Sequence, residues 1–482
     1  MSKDESLTSK VRSGVLWNVA GQVAQYIMRV GFSIILARLL TPREFGLVGM
    51  VSVFTGFAGL FINMGLGTAI IQRRVLHLQY LSNALLLSLL SACVLFLLFF
   101  FSSDAIATVY NEPVLKPMVQ VLSCQFLLSV TPVVHGALLR REMRFKVLAL
   151  TETCAFLAGS VVAVLAACLG AGVWSLVYNS LTYAAVSMLL LWWYSGWQPR
   201  LGIDVSAIRD LWSYSKHLVG FDALNYWARN ADNYLIGKYC GAAEVGAYNR
   251  AYQLMLVSSQ QITGIVSGVL FPAMSQLQGE VPRFREVLLK SHRIIAFFAF
   301  PLSAGASVLA EPLVLVLFGP EWKETTPLIR VLAWAGLGQS LSTLGLVFNS
   351  LGRPDLTFKV GSVNSVILIV SFLAGLPWGA LGVAVAYTLA WWLLVFPFGW
   401  DMAARLLGLR FWHVLWNVRE ILACTILMAA AAAGTQYSLR AFPPIIQLGC
   451  AVATGAVVYC GTVLWLAKRT YREVMGLIKG NR

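Results

Sequence analysis

Three charged residues stand within one apolar stretch that is long enough to cross a membrane. Asp222, Arg229 and Asp232 lie between residues 213 and 250, in a single predicted helix. A charge at the centre of a membrane helix costs about 2.5–3.5 kcal/mol on insertion scales. Arginine binds phosphate through its planar, bidentate guanidinium, and a carboxylate in a low-dielectric cavity can carry a proton or help to hold sodium. The stretch therefore predicts a polar cavity that faces away from lipid.

A second intramembrane arginine stands in the equivalent place near the start of the chain. A shift of 200 residues aligns Arg29 with Arg229, and the same shift aligns Glu44 with Glu244. Two guanidinium groups that face one cavity would suit an anionic phosphate or pyrophosphate. The alternative is structural pairing, because Arg229 and Asp232 are spaced i, i+3 on a helix and could satisfy one another.

Polar residues near the two arginines extend the candidate site. Gln25 in the first predicted helix, and Asn225 and Asn230 in the seventh, could line a path for sugar hydroxyl groups. Arg250 adds a further cation. The same residue types also join membrane helices through hydrogen bonds, so a structural role is the alternative for each.

Two aspartates are candidates for coupling transport to an ion. Asp222 lies seven residues before Arg229, which places both on the same helical face two turns apart, and Asp232 follows three residues after it. Either carboxylate could exchange a proton or hold sodium, or it could simply fill a polar gap between helices. Apart from H⁺ or Na⁺ as a coupling ion, no cofactor is expected.

The chain has the composition of an integral membrane protein. Of its 482 residues, 58% are hydrophobic and 12% are charged, whereas soluble domains carry about 25% charged residues. The net charge of +15 comes from short basic clusters between apolar runs, which is the positive-inside pattern and argues against nucleic-acid binding. The eight cysteines form no CxxC pair, and neither GxxxxGK[ST] nor HExxH occurs. The connecting segments are too short for a catalytic domain, so an enzyme is not expected.

Apolar runs predict an all-α protein with about 14 transmembrane helices, since about 20 apolar residues cross a bilayer as a helix. Both termini are predicted to be cytoplasmic, because lysine and arginine concentrate in the loops on their side. The predicted spans are 14–37, 45–66, 80–101, 116–138, 147–169, 173–195, 213–237, 245–271, 292–310, 327–350, 359–377, 380–400, 415–436 and 444–466.

The first twelve spans divide into two similar halves. Besides the 200-residue echo, GAGVWSLVY (170–178) resembles GALGVAVAY (379–387). Six spans per half give parallel repeats about a pseudo-twofold axis along the membrane normal, and such repeats hold a substrate cavity between them. The predicted domains are an N-terminal lobe at 1–200, a C-terminal lobe at 201–402, and two accessory helices with a cytoplasmic tail at 403–482.

Seven motifs run in order along nearly the whole chain. They are SGVLWN (13–18), LLTPREFGLVGM (39–50), GLGTAIIQRR (65–74), NYWARNADNYLIGKYCGAAEVGAYNRAYQL (225–254), LFPAMSQLQ (270–278), VLFGPEWKETTP (316–327) and LGRPDLTFKV (351–360). Together they resemble the Wzx-type polysaccharide flippases of the multidrug/oligosaccharidyl-lipid/polysaccharide exporter superfamily, in particular the colanic-acid and succinoglycan exporters.

This resemblance implies two six-helix bundles with two added helices and a cationic cavity. It implies ion-coupled, alternating-access transport of an undecaprenyl-pyrophosphate-linked oligosaccharide from the cytoplasmic to the periplasmic leaflet of the bacterial inner membrane. The implied partners are that glycolipid, membrane lipid, and polysaccharide polymerase or chain-length proteins. In this scheme Arg229, with Arg29, holds the diphosphate.

Two other functions remain open at the level of sequence. A multidrug exporter that exchanges cations would use the same fold, but it would favour a cavity dominated by carboxylates and not by arginines. A membrane glycan ligase or polymerase would need a sizeable outward loop, and the predicted loops on that side are short.

Overall fold

The structure is a computed structural model, and it describes residues 28–73, 78–199 and 205–478. These residues are helical almost throughout, and no strand occurs among them. The helices are α1 (28–39), α2 (Pro42–Asn63), α3 (Leu66–Gln72), α4 (Leu78–Tyr110), α5 (Leu115–Leu128), α6 (Val130–Arg141), α7 (Phe145–Cys168), α8 (Trp174–Ser195), α9 (Val205–Cys240), α10 (Ala242–Leu256), α11 (Ile262–Gln276), α12 (Val281–Val308), α13 (Ala310–Leu317), α14 (Thr325–Ser340), α15 (Leu344–Ser350), α16 (Pro354–Gly375), α17 (Gly379–Ala390), α18 (Phe396–Leu407), α19 (Phe411–Asn417), α20 (Arg419–Ser438), α21 (Pro444–Leu466) and α22 (Lys468–Ile478).

The helix lengths and apolar character fit a protein that crosses a membrane many times. Within the described ranges, ten helical segments are long and apolar enough to span a bilayer. One of them, Pro354–Leu407, is 54 residues long and contains two predicted spans, which the 3₁₀ turn Leu376–Trp378 separates. The prediction of an all-α, multi-pass membrane protein is confirmed, and the count of about 14 spans stays a prediction.

The contacts divide the chain into two compact units, Met1–Ala243 and Glu244–Arg482. Helix α9 belongs to the first unit because its aromatic residues pack on α2 and α4. The ring of Phe54 on α2, for example, lies 6.5 Å from that of Trp227 and 6.2 Å from that of Tyr234. The predicted lobe limits at 200 and 402 follow the sequence repeat and not these contacts, and they remain predictions.

Each unit contains the same contact between a carboxylate and the start of a later helix. In the first unit Glu44 lies beside Gly172, where an added Cβ would stand 2.6 Å from Glu44 Oε1. In the second unit Glu244 Oε2 accepts a hydrogen bond from the Ala380 amide at 2.6 Å, directly after Gly379. Both glycines have a positive φ, 54° and 69°. The two echoes found in the sequence therefore meet in each unit, although in the register of the echo Gly172 aligns with Leu381 and Gly379 with Gly170.

The turn between α16 and α17 brings two glycines into direct backbone contact. A Cβ on Gly382 would overlap the carbonyl oxygen of Gly375, and it would lie 2.5 Å from the Cβ of Trp378. The atoms that an added Cβ would meet belong mostly to the backbone of Gly375, so a side-chain rotation cannot relieve the overlap. The two helices would have to move apart.

We expect Gly382→Ala to lower the free energy of unfolding by about 1–3 kcal/mol, as overpacking does elsewhere. Thermal unfolding of the purified protein in detergent would measure this effect. Gly361→Ala on α16 is the matched control, since no atom lies within 4 Å of its added Cβ, and helix propensity should make it neutral or slightly stabilising. Equal destabilisation by both changes would contradict the contact.

The second unit has a core around α12, and its last helix is fastened there. Phe300 and Trp400 are fully buried in this core. Arg293 of α12 donates to both carboxylate oxygens of Glu473 on α22, at 2.9 and 2.6 Å, and its Nη1 donates to Asn417 Oδ1 at 2.6 Å. Asn417 in turn donates to the Leu289 carbonyl at 2.8 Å. This clamp ties the end of the chain to α12.

Candidate functional site

Helix α9 presents an aromatic face to the first unit and leaves polar side chains exposed. The Tyr226 hydroxyl donates towards the carbonyl oxygens of Ser52 and Val53 on α2, at 3.1 and 2.9 Å. Asn225 and Arg229 are exposed. Side chains three to four residues apart share a helix face, so these two lie together beside the aromatic contact.

Arg229 and Asp232 do not form the ion pair that their spacing allows. No hydrogen bond or ion pair of the Arg229 side chain occurs in the part of the chain that the structure describes. Asp232 is buried, with 3% of its surface exposed, and its Oδ1 accepts a hydrogen bond from the Asn233 amide at 2.8 Å. The guanidinium is therefore available to a ligand, whereas this carboxylate is held within the protein.

Arg29 has a different environment. It is exposed, and its guanidinium lies 5.7 Å from the centre of the Phe156 ring on α7. The Arg29 side chain on α1 thus contacts α7, whereas α9 packs on α2 and α4. A diphosphate site shared by Arg29 and Arg229 remains a prediction.

The other predicted site residues are less open to a ligand, or lie outside the described residues. Gln25 lies outside the described residues. Asp222 is half-buried, and Asn230 donates within its own helix to the Tyr226 carbonyl at 2.8 Å. In the second unit Arg250 is only 9% exposed, and its Nη1 donates to Gln253 Oε1 at 3.1 Å.

Sequence reasoning missed a polar cavity of about 320 Å³ between α2 and α5 in the first unit. Its signal in the sequence is a stripe on α2 of small or polar residues at helical spacing, formed by positions 52, 55, 59 and 63. Nothing in the sequence says that α5 lies opposite that stripe. The polar side chains that line the cavity are Ser52, Thr55, Asn63, Gln125 and Ser129.

The second unit contains an apolar groove of about 440 Å³. Side chains of α12, α20 and α21 line it, and α10 contributes Leu254. The lining is almost entirely aliphatic, as Leu309, Met428 and Val452 illustrate. Among the described residues, no three His, Cys, Asp or Glu side chains are placed to bind a metal ion.

Two family models match the chain. The model described as polysaccharide biosynthesis protein matches residues 35–327. The model described as lipid II flippase MurJ matches residues 240–448. The first match covers more than half of the chain.

Curated relatives are similar along most of their length. The chain is 27% identical to the teichuronic acid biosynthesis protein TuaB of Bacillus subtilis, over 97% of both chains. It is 26% identical to the lipopolysaccharide biosynthesis protein WzxC of Escherichia coli, over 80% of this chain and 79% of the relative. The succinoglycan biosynthesis transport protein ExoT of Rhizobium meliloti is 24% identical, over 98% and 96% of the two chains.

Solved structures share the fold. The inward closed conformation of lipid II flippase MurJ superposes with a TM-score of 0.73 at 14% identity, covering 95% of this chain and all of the other. An inward-facing multidrug resistance MATE family transporter of the MOP superfamily gives a TM-score of 0.59 at 17% identity, covering 82% and 94% of the two chains. One fold thus serves a lipid II flippase and a drug transporter, so the fold alone does not choose between them.

Proposed function

Because the chain belongs to the polysaccharide biosynthesis protein family, we propose that it is a flippase for lipid-linked oligosaccharide repeat units. The observation that carries this proposal is Arg229, an exposed arginine without a described partner on a helix of a very apolar protein. A cation on a helix that enters the membrane is costly unless it meets water or an anion. The diphosphate of a glycolipid is such an anion, and a guanidinium fork matches its oxygens.

The proposed mechanism is alternating access. The diphosphate and the glycan enter a polar cavity on one side of the membrane, the protein changes conformation, and both leave on the other side. Arg229, with Arg29, holds the diphosphate, while Asn225, Asn230 and the other polar residues meet the sugars. Release is coupled to H⁺ or Na⁺ through Asp222 or Asp232, of which the half-buried Asp222 is the more accessible.

The apolar groove in the second unit supports a substrate with a long lipid tail. Its aliphatic lining could receive part of a polyprenyl chain, and transfer of that chain from the bilayer costs little because lipid tails are as apolar as this lining. The tail would thus stay in an apolar environment during the whole cycle. An undecaprenyl chain is the proposed carrier, since the relatives in bacteria are named for polysaccharide biosynthesis.

The proposed direction is from the cytoplasmic to the periplasmic leaflet of the bacterial inner membrane, for export of exopolysaccharide, O-antigen or capsule. The basic loops support cytoplasmic termini. On this proposal the protein performs no covalent chemistry, and a polysaccharide polymerase with its chain-length protein receives the flipped unit.

A flipping assay tests the function directly. Purified protein is reconstituted in liposomes with undecaprenyl-pyrophosphate-linked repeat units from the source bacterium, and glycan exposure is followed with a membrane-impermeant oxidant. We expect faster exposure of glycan from the inner leaflet than in protein-free liposomes, with a dependence on a proton or sodium gradient. Transport of an amphiphilic cation such as ethidium without glycan exposure would instead support the drug-exporter alternative.

A further inference from the structure

We infer that the cavity between α2 and α5 binds hydroxyl groups of the glycan, apart from the site that binds the diphosphate. This inference rests on the proposed function and adds a carbohydrate subsite to it. The cavity belongs wholly to the first unit, and none of its lining residues is charged. A diphosphate would therefore find no counter-charge there.

The hydrogen bonds of the lining show which groups the cavity offers to a ligand. The hydroxyl of Ser52 donates to the Gly49 carbonyl at 2.7 Å, and that of Ser129 donates to the Gln125 carbonyl at 2.8 Å. The Thr55 hydroxyl donates to the Val51 carbonyl at 3.3 Å. A carbonyl can only accept, so each hydroxyl proton is already used. The three oxygens remain free to accept.

The amides on the two helices complete this pattern. Asn63 uses one N–H of Nδ2 to donate to the Gly59 carbonyl at 3.3 Å, which leaves the second N–H as a donor and Oδ1 as an acceptor. The Gln125 side-chain amide enters no hydrogen bond in the described part of the chain, so it can both donate and accept. The lining thus offers four acceptor oxygens, one spare N–H on Asn63, and the Gln125 amide, which can donate and accept.

A ligand that fits this lining must both donate and accept hydrogen bonds and carry no negative charge. Sugar hydroxyl groups meet both conditions, whereas phosphate oxygens only accept. The volume of about 320 Å³ is in the range of small-ligand pockets. Phe126 adds an apolar wall, which suits the C–H face of a sugar ring. The alternative is a water-filled gap between the two helices, and the binding experiment distinguishes this alternative from a sugar site.

Two probes are used. Mild acid treatment of the lipid-linked repeat unit hydrolyses the bond between sugar and diphosphate and releases the free oligosaccharide, whereas undecaprenyl diphosphate, whose allylic diphosphate is itself acid-labile, is supplied as the synthetic compound. Binding of each probe to the purified full-length protein in detergent is then measured separately. Gln125→Leu removes the adaptable amide. Gln120→Leu is the matched control, because Gln120 is the same residue type on the same helix but does not line the cavity.

We expect Gln125→Leu to weaken oligosaccharide binding about fivefold, as the loss of one hydrogen bond does, and to leave undecaprenyl diphosphate binding unchanged. Gln120→Leu should change neither. Gly59→Leu should block the oligosaccharide more strongly, since an added Cβ at Gly59 meets no atom within 4 Å and the side chain can extend into the cavity. Ser129→Ala, which removes an acceptor without adding volume, should give a smaller loss.

The results separate this inference from the proposed function. If the wild-type protein flips the glycolipid but Gln125→Leu and Gly59→Leu bind oligosaccharide normally, the cavity is not a sugar site. If these variants lose oligosaccharide binding while the wild-type protein flips nothing in liposomes, the sugar site stands and the flippase proposal fails. Equal loss of both probes in Gln125→Leu would also overturn the inference, since it would indicate general damage.

Discussion

Arg229→Ala is expected to slow flipping about ten- to a hundredfold, because a charged hydrogen bond to the diphosphate contributes about 1.5–3 kcal/mol. The amount of protein in the membrane should stay the same. Arg229 is exposed and has no partner in the described structure, so its removal leaves no buried charge without a counter-charge. The liposome assay measures the rate, and quantification of the protein in membrane fractions measures its level.

Two further variants show whether the guanidinium itself is needed. Arg229→Lys keeps the charge but loses the bidentate fork, and we expect a rate between those of the wild-type protein and the alanine variant. Lys238→Ala removes an exposed positive charge from the same helix, and this variant should transport normally. A normal rate for Arg229→Ala would refute the diphosphate role, whereas loss of protein from the membrane would assign Arg229 to structure.

One contact that the predicted repeat connects is seen in each unit. Glu44 and Glu244 align at an offset of 200 residues, and the segments around Gly172 and Gly379 resemble one another at a slightly larger offset. In the structure each glutamate meets its own glycine. The two echoes, which the sequence alone does not connect, therefore meet in each unit.

What the sequence could not predict depends on which helices become neighbours. The Tyr226 hydroxyl reaches carbonyl oxygens of α2, 174 and 173 positions earlier in the chain, and no periodicity encodes such a pairing. The polar cavity needs α5 opposite α2 for the same reason. Residue type alone also did not distinguish a ligand site from a structural role. The charge of Arg250 suggested a ligand site, yet in the structure this side chain donates a hydrogen bond to Gln253 and is only 9% exposed.

Glu473→Ala is expected to lower the free energy of unfolding by about 3–5 kcal/mol, which is the usual result of removing one partner from a buried ion pair. The side chains of Arg293 and Glu473 are only 7% and 15% exposed, and two hydrogen bonds join them. Removal of the carboxylate leaves the guanidinium buried, and its hydrogen bond to Asn417 Oδ1 is then its remaining contact with another helix in the described structure. Thermal unfolding of the purified protein in detergent measures the loss.

The matched control is Glu280→Ala, because Glu280 pairs with Arg283 at the surface with side chains 59% and 69% exposed. Exposed pairs contribute about 0–1 kcal/mol, so this variant should unfold almost as the wild-type protein does. If Glu473→Ala behaves in the same way, the clamp on α22 does not stabilise the second unit.

The double variant Arg293→Met with Glu473→Leu identifies the physical cause of the loss. Burying two charges costs desolvation energy that their attraction only partly offsets, so apolar replacement of a whole buried pair is often neutral. We therefore expect the double variant to recover most of the stability that Glu473→Ala loses. Recovery should be incomplete, because Asn417 Oδ1 loses the donor that Arg293 Nη1 supplies at 2.6 Å. A double variant as unstable as Glu473→Ala would instead mean that the ion pair itself, and not the avoidance of an unpaired charge, holds α22 on α12.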